Sequence, residues 1–250
     1  MSDPSPAPGR VQLFVTCMIE AVRPEAGLAV VDVLEALGLT VDYPEDQTCC
    51  GQPAVNAGSW DDAAAMARHT LDVLSRSDAP IIIPSGSCGD MVRHHYPRLL
   101  EGDPVYGPLA AAVAERAFEF SEFLYDVLGV GREAASPAET TGEKVTNHPS
   151  CHLLRGMGVR EAPRALLSAA GVELVELPNA EECCGFGGLF AVKMSDISGA
   201  MLQRKLDAIE DSGASTVVSC DVSCLIHIAG GLHRRGSAVR TKHIAEVLRP

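Results

Sequence analysis

Two vicinal cysteine pairs, each followed by a glycine, recur along the sequence at a fixed separation. The pairs are Cys49-Cys50-Gly51 and Cys183-Cys184-Gly185, and each lies between one upstream and one downstream cysteine. Corresponding cysteines are 134 positions apart (183 − 49), except for the last of each set, which are 136 apart (224 − 88). Eight of the nine cysteines therefore form two sets of four, Cys17, Cys49, Cys50 and Cys88 in the first and Cys151, Cys183, Cys184 and Cys224 in the second. This repeat predicts an internal duplication in which each half holds the same object with four sulfurs.

The charge and hydropathy of the chain restrict its partners and its location. A formal net charge of -13 predicts that it does not bind nucleic acid, because no basic patch offsets the acidic surface. No apolar run approaches the roughly 18 residues of a membrane span, and residues 1–10 lack the basic start and hydrophobic run of a secretory signal. We therefore expect a cytoplasmic protein. Because thiols stay reduced in the cytoplasm, clustered cysteines there indicate metal ligands or redox groups rather than structural disulfides.

Short apolar runs alternate with helical patterns in both halves of the chain. Strands are predicted at residues 11–16, 39–43, 80–84, 144–147, 172–177 and 216–219, and the longer helices at 24–37, 60–75 and 195–212. This alternation predicts an α/β fold of two pseudo-symmetric, Rossmann-like halves with parallel sheets, produced by the duplication. We expect the halves to comprise residues 11–130 and 143–250, joined by a polar linker. The ends of the two halves also resemble each other, which matches His243 with Glu122.

Three cysteines of each set follow predicted strands. The carboxyl ends of parallel strands meet at one edge of a sheet, so cysteines distant in sequence are expected to lie together there. Neighbouring side chains in a regular strand point to opposite faces, so each vicinal pair requires a loop. Gly51 and Gly185 tolerate a positive φ, which lets both sulfurs face one centre and brings backbone amides close to it.

The cysteine pattern favours a metal site over simple packing. A single buried cysteine is usually a small core hydrophobe, but two matched sets of four indicate ligands. Zinc accepts four thiolates, yet zinc sites commonly use Cys-x-x-Cys pairs, and the sequence contains none. Iron-sulfur clusters are held by thiolates from scattered loops and fit the spacing better.

Cys220 and two histidines lie beside these cysteines without a fixed role. Cys220 precedes Cys224 by four positions, and Pro84 stands at the corresponding place in the first half. Three roles are open for Cys220: a further metal ligand, a redox thiol or a packing residue. His148 and His152 flank Cys151; a turn histidine is usually a hydrogen-bonding residue, and here it is also a candidate to tune a cluster potential or move a proton.

Sequence motifs for other chemistry are absent. The chain has no Walker-type phosphate loop, no Gly-x-Ser-x-Gly nucleophile motif and no dinucleotide-binding fingerprint. The sequence therefore leaves the catalytic residues unknown.

The cysteine motifs and the residues around them resemble the cysteine-rich CCG-domain family over nearly the whole chain from residue 11. The resemblance is strongest to the lactate-utilisation branch of that family. The motifs that carry it are Phe14-Val15-Thr16-Cys17, Cys49-Cys50-Gly51-Gln52-Pro53, Gly86-Ser87-Cys88, His148-Pro149-Ser150-Cys151-His152-Leu153, Cys183-Cys184-Gly185-Phe186-Gly187-Gly188 and Ser223-Cys224-Leu225.

The resemblance implies a cytoplasmic iron-sulfur subunit that transfers electrons in the oxidation of L-lactate to pyruvate. Its implied partners are two companion proteins, a ferredoxin-domain iron-sulfur protein and a third protein. It also implies one or two 4Fe-4S clusters, each held by one set of four cysteines, with Cys220 as an additional candidate metal ligand.

Two other functions are compatible with the same motifs. The heterodisulfide reductase branch of the family uses five cysteines per set to cleave a disulfide. This chain departs from that pattern, because Ser85 replaces one cysteine and Cys220 is one residue out of step. The other alternative is a zinc-stabilised scaffold without redox activity.

Overall fold

The computed structural model describes residues 8–132 and 142–250, which form two four-stranded parallel sheets. The strands of the first sheet are β1 (Arg10–Leu13), β2 (Thr40–Asp42), β3 (Ile81–Ile83) and β4 (Ala117–Glu119), and those of the second are β5 (Lys144–Asn147), β6 (Glu173–Val175), β7 (Thr216–Ser219) and β8 (Arg240–His243). Their orders, β2-β1-β3-β4 and β6-β5-β7-β8, are the same arrangement used twice. The predicted α/β fold of two pseudo-symmetric halves is confirmed.

Helices connect the strands of each sheet, as parallel pairing requires. In the first half they are α1 (Cys17–Val22), α2 (Pro24–Ala36), α3 (Gln52–Ala57), α4 (Trp60–Leu74), α5 (Gly86–Asp90), α6 (Tyr96–Leu99), α7 (Tyr106–Glu115) and α8 (Phe120–Glu122). In the second half they are α9 (Glu161–Ala169), α10 (Phe190–Lys193), α11 (Ser195–Asp211), α12 (Val222–Arg235) and α13 (Ile244–Leu248). Segments of π-helix occur at Met91–His95, Phe123–Val127 and His152–Gly156.

The two faces of each sheet bury different hydrophobic cores. On β3, Ile82 packs into a central core between the two sheets, whereas Ile81 and Ile83 pack into an outer core of the first half. On β7, Val218 joins the central core and Val217 the outer core of the second half. This alternation is the period of two expected of β-strands, and it decides which side chains can reach each core.

The two halves approach each other closely at α5 and at the π-helical segment His152–Gly156. A Cβ atom on Gly86 would lie 2.5 Å from the Cβ of Leu153, and one on Gly156 would lie 2.5 Å from the Asp90 carboxylate. Asp221 also joins the halves, because its carboxylate accepts hydrogen bonds from the Ser85 hydroxyl (3.2 Å) and the Ser87 N–H (3.0 Å). The cysteine loops of the two halves therefore lie next to each other.

Several details of the sequence prediction change. Helix α10 and the π-helical segments were not predicted, and the match of His243 with Glu122 is wrong. Glu119 and His243 are the equivalent residues, since each ends the last strand of its sheet and is the N-cap of the next helix, with a capping box. Of the predicted linker, residues 133–141 lie outside the described residues. No helix in the described parts of the chain is long and apolar enough to span a membrane.

Candidate metal centre

The first set of cysteines converges at the carboxyl ends of β1, β2 and β3. Cys17 begins α1, Cys49 and Cys50 precede α3, and Cys88 lies in α5. The Sγ atoms of Cys50 and Cys88 are 3.3 Å apart, and the thiols of Cys17 and Cys49 share a hydrogen bond. These contacts show the convergence predicted from the strand order. All four cysteines are free.

The second set forms the same arrangement at the ends of β5, β6 and β7. The Sγ atoms of Cys151 and Cys183 are 3.8 Å apart, and the thiols of Cys184 and Cys224 share a hydrogen bond. The N–H of Gly185 donates a hydrogen bond to Cys183 Sγ over 3.3 Å. We call these two sets the first quartet (Cys17, Cys49, Cys50, Cys88) and the second quartet (Cys151, Cys183, Cys184, Cys224).

The backbone around the quartets adopts the left-handed conformations that present the sulfurs. Gly51 has φ +87° and Gly185 has φ +92°, and a Cβ on Gly185 would lie 2.7 Å from the carbonyl oxygen of Ser198. Thr16 and Ser150, which precede the first cysteine of each quartet, also have positive φ values of 71° and 59°. Strained conformations of this kind persist only where surrounding structure fixes them, and they often mark ligand sites. The positive φ predicted for the two glycines is confirmed.

Hydrogen bonds between the sulfurs shift the pKa values of neighbouring thiols in each quartet in opposite directions. The pKa of Cys49 is lowered, chiefly because Cys17 and Cys50 donate hydrogen bonds to its sulfur, and the pKa values of Cys17 and Cys50 are raised in return. In the second quartet, hydrogen bonds from Cys151 and Cys184 lower the pKa of Cys183 in the same way. Ionising all four thiols at such short separations would require a cation between them.

The cavities next to the two quartets share one wall. The first quartet lines a cavity of about 480 Å³ and the second a cavity of about 60 Å³. Both are lined by Gln52, Ser87, Phe186, Gly188 and Ser223. Gln52 and Phe186 occupy equivalent positions in the two halves, as do Ser87 and Ser223, so the wall lies on the pseudo-symmetry axis.

Cys220 lies apart from both quartets. Its side chain is buried in the central core, where Sγ is 3.7 Å from the Ser121 hydroxyl and contacts Glu119. Burial raises the pKa of the Cys220 thiol well above its usual value. In the part of the chain that the structure describes, each cavity is thus lined by four cysteines and not by the five of a heterodisulfide reductase centre.

His148 is the site residue whose position the sequence did not fix. A ring nitrogen of His148 and the Sγ atoms of Cys184 and Cys224 all lie within 4.8 Å of one another. Both ring nitrogens are buried without a hydrogen-bond partner among the described residues, and burial lowers the pKa of His148 to about 3. The equivalent residue in the first half is Phe14 (148 − 134). This exchange of phenylalanine for histidine is the sequence signal that identifies the position.

His152 borders the second cavity and connects it to the surface. Its Nδ1 donates to Asp90 over 2.7 Å, and its Nε2 lies 3.1 Å from the Gln52 side-chain amide. His94, which is partly exposed, binds the other oxygen of Asp90 at 2.8 Å. The hydrogen bond with Asp90 raises the pKa of His152. A polar chain of side chains therefore runs from solvent to the second cavity.

The donor set of each quartet fits a thiophilic metal or an iron-sulfur cluster. Four free thiols from three separate segments of the chain lie together, and one thiol per quartet has a lowered pKa. Such sulfur donors favour zinc, copper(I) and iron-sulfur clusters over magnesium or calcium.

Comparison with known proteins gives one family and several full-length relatives. Residues 11–93 and 145–229 match the sequence model of the cysteine-rich domain CCG. Lactate utilization protein A from Exiguobacterium sp. is 45% identical over 241 residues, covering 95% of this chain and 96% of that protein. The protein of the same name from Geobacillus sp. is 43% identical over 244 residues, covering 96% of this chain and 98% of its own.

A solved structure supports the fold. The crystal structure of a hypothetical protein from Helicobacter pylori superposes with a TM-score of 0.66 at 9% sequence identity, and the match covers 96% of this chain. This chain spans 48% of that protein. At such low identity the likeness concerns the arrangement of strands and helices alone.

Proposed function

The chain belongs to the cysteine-rich CCG-domain family and to its lactate utilization protein A members, and from this membership we propose that it is an iron-sulfur electron-transfer subunit of an L-lactate-oxidising assembly. The observation that carries the proposal is the pair of thiol quartets at equivalent strand ends, with cavities that share a wall. One quartet alone would suit a structural metal. Two adjacent quartets suit a chain that moves electrons.

The proposed cofactor is a 4Fe-4S cluster in each quartet. A bound iron-sulfur cluster would supply one-electron oxidation and reduction. The four cysteines of each quartet would hold one cluster, and the Gly185 N–H would stabilise negative charge on Cys183. The two centres would lie next to each other, divided by the shared wall of Gln52, Ser87, Phe186 and Ser223. Oxidation of one lactate to pyruvate releases two electrons and two protons, so two one-electron sites match the electron count of the substrate.

The proposed partners are a ferredoxin-domain iron-sulfur protein and a third companion protein. Exposed apolar side chains beside the first cavity support such docking. Leu189 lines that cavity, and Val192, Met194 and Ile197, which follow it in the sequence, are also exposed, Val192 by 75%. Apolar patches at the rim of a site are typical of protein-binding surfaces.

Anoxic reconstitution with the companion proteins tests this function. The iron-loaded chain is mixed with them, L-lactate is added, and the visible absorbance of the chain is followed by stopped flow. We expect lactate-dependent bleaching, with one pyruvate formed per two electrons, and no bleaching with a Cys50→Ser, Cys184→Ser double variant. The proposal would be contradicted if dithionite reduced the chain but lactate and the companion proteins together did not.

A single zinc ion per quartet is the second candidate, and the sulfur spacing favours it. With Zn–S bonds of about 2.3 Å, tetrahedral geometry separates neighbouring sulfurs by about 3.8 Å. The Cys151–Cys183 distance of 3.8 Å in the second quartet matches that value, and the Cys50–Cys88 distance of 3.3 Å in the first is shorter. A multinuclear cluster binds its thiolates to different iron atoms and requires them to move apart. Zinc analysis of anoxically isolated protein distinguishes the two candidates.

A further inference from the structure

We propose that the imidazole of His148 is a nitrogen ligand of the metal centre in the second quartet, so that the two centres of the chain differ in their donor atoms. The inference rests on the proposed metal-binding function and adds a ligand to one of its two sites. The first centre then has sulfur donors only, and the second has sulfur and nitrogen.

The position of the ring carries the inference. His148 directly follows β5, and its backbone N–H donates to the carbonyl oxygen of Val218 over 2.7 Å, which fixes the backbone at the strand end. From there the ring reaches the sulfurs of Cys184 and Cys224, all three donor atoms lying within 4.8 Å of one another. Both cysteines are part of the outer core of the second half.

The ring nitrogens of His148 form no hydrogen bond with any of the described residues. The residue is 1% exposed. Burying an imidazole without a partner is unfavourable, because the hydrogen bonds to water are lost and not replaced. A metal ion at the quartet would accept the lone pair of one nitrogen and remove that penalty.

The first half shows that packing alone does not require a histidine here. Its equivalent residue, Phe14, is 1% exposed and lies in the corresponding outer core with Cys50 and Cys88. An apolar ring therefore fills this position in the same fold. The polar ring is found in the half where one of its nitrogens lies near two thiols.

Another histidine of the second half provides a matched comparison. His227 is half-buried in α12, its Nε2 lies 3.4 Å from the Ser198 hydroxyl, and its ring packs edge-on against Phe186. Its nitrogen is therefore engaged by the protein, unlike those of His148. His227 tests whether any nearby histidine, or only His148, binds the metal.

A nitrogen donor makes the second centre different in redox properties from the first. An imidazole is a neutral ligand, whereas each thiolate adds a negative charge. Where histidine replaces cysteine as a ligand in iron-sulfur proteins, the reduction potential rises. Here the imidazole adds to four thiolates instead of replacing one, so we expect the potentials of the two centres to differ and His148→Phe to shift only that of the second.

Pulsed EPR of anoxically prepared, dithionite-reduced protein with ¹⁵N-labelled histidine tests the inference. We expect a ¹⁵N hyperfine coupling of the strength of a direct ligand in the unmodified chain. His227→Phe should retain the coupling, and His148→Phe should lose it while keeping the first centre. Absence of a directly coupled nitrogen in the unmodified chain would overturn the inference without requiring any variant to fold. Persistence of the coupling in His148→Phe would also overturn it.

Iron and sulfide analysis separates this inference from the proposed function. If the protein binds neither, the electron-transfer function fails, and the ligand question is decided with ¹¹³Cd²⁺ as the probe. In ¹¹³Cd NMR of the ¹⁵N-histidine protein, we expect one cadmium signal split by nitrogen and one unsplit. Two unsplit signals would exclude His148 as a ligand.

Discussion

Asp90 of the first half and His152 of the second half form a hydrogen bond of 2.7 Å between Oδ2 and Nδ1, across the boundary of the duplication. His152 adjoins Cys151, so this bond orients a residue beside the second quartet. Gly156 makes the contact possible, because a side chain at that position would overlap the Asp90 carboxylate. The second site therefore depends on a residue of the first half.

Asp90→Asn should destabilise the protein through this contact. The hydrogen bonds from His152 and His94 hold the pKa of Asp90 below its usual value although burial opposes it, and the amide cannot replace a charged acceptor. We expect a loss of about 1.5–3 kcal/mol in the free energy of unfolding, measured by urea denaturation. Asp211→Asn, at an exposed position, is the control. Equal effects of the two substitutions would show that the cross-half bond contributes nothing.

Gly185→Ala should disrupt the second quartet. The substitution adds a Cβ to a residue with φ +92° and places it 2.7 Å from the carbonyl oxygen of Ser198. Neither the backbone angle nor the close contact can relax easily. We expect a lower melting temperature and loss of metal from the second quartet. Gly199→Ala in α11 is the matched control, because nothing lies within 4 Å of its Cβ position and alanine favours the helix by about 1 kcal/mol. Unchanged metal content in Gly185→Ala would refute the role of this glycine.

Cys184→Ser should remove more of the visible absorbance of the iron-loaded protein than Cys220→Ser. Cys184 lies in the second quartet, whereas Cys220 packs in the central core against Ser121. We expect Cys184→Ser to lose about half of the absorbance, because one of two equal centres is lost. Cys220→Ser should lose almost none. Equal losses would identify Cys220 as a full ligand.

Glu119→Gln should remove a pH dependence of stability. Burial raises the pKa of Glu119 from 4.5 to about 8, so the folded protein holds this proton more tightly than the unfolded chain. The stability gained from it is complete below pH 4.5 and is lost as the pH rises to about 8.

The slope of this loss approaches about 1.4 kcal/mol per pH unit. Urea denaturation of the wild type and Glu119→Gln between pH 5 and about 9 measures the difference. Glu101→Gln, at an exposed position, is the control. Parallel pH profiles for wild type and Glu119→Gln would show that Glu119 is not protonated in the folded state.

The sequence predicted those parts of the fold that periodicity determines. Helices α2, α4 and α11 end within one residue of the predicted boundaries, because their apolar stripes and glycine or serine ends are local signals. The convergence of the quartets was also predictable, since parallel strands bring their carboxyl ends together. The short α10 was not, because four residues carry no measurable period.

Contacts between the halves could not be read from the sequence. Nothing local indicates that Asp90 meets His152, or that Asp221 accepts from Ser87. The position of Cys220 was open for the same reason. Spacing from Cys224 is compatible with a ligand, but strand alternation turns Cys220 to the central core and away from the cavity. The sequence marks His148 as a neighbour of Cys151 that could tune a cluster potential or move a proton, but it does not mark it as a ligand. The comparison with Phe14 becomes informative once both outer cores are known.

The metal content of protein expressed and purified without oxygen tests the central claim most directly. Iron, acid-labile sulfide and zinc are measured per chain, for the unmodified protein and for Cys50→Ser and Cys184→Ser. We predict iron and sulfide in the unmodified chain, no zinc, and loss of about half of the iron in each variant, as expected for two equivalent thiolate-held clusters. A colourless protein with about one zinc per quartet and no sulfide would contradict the account.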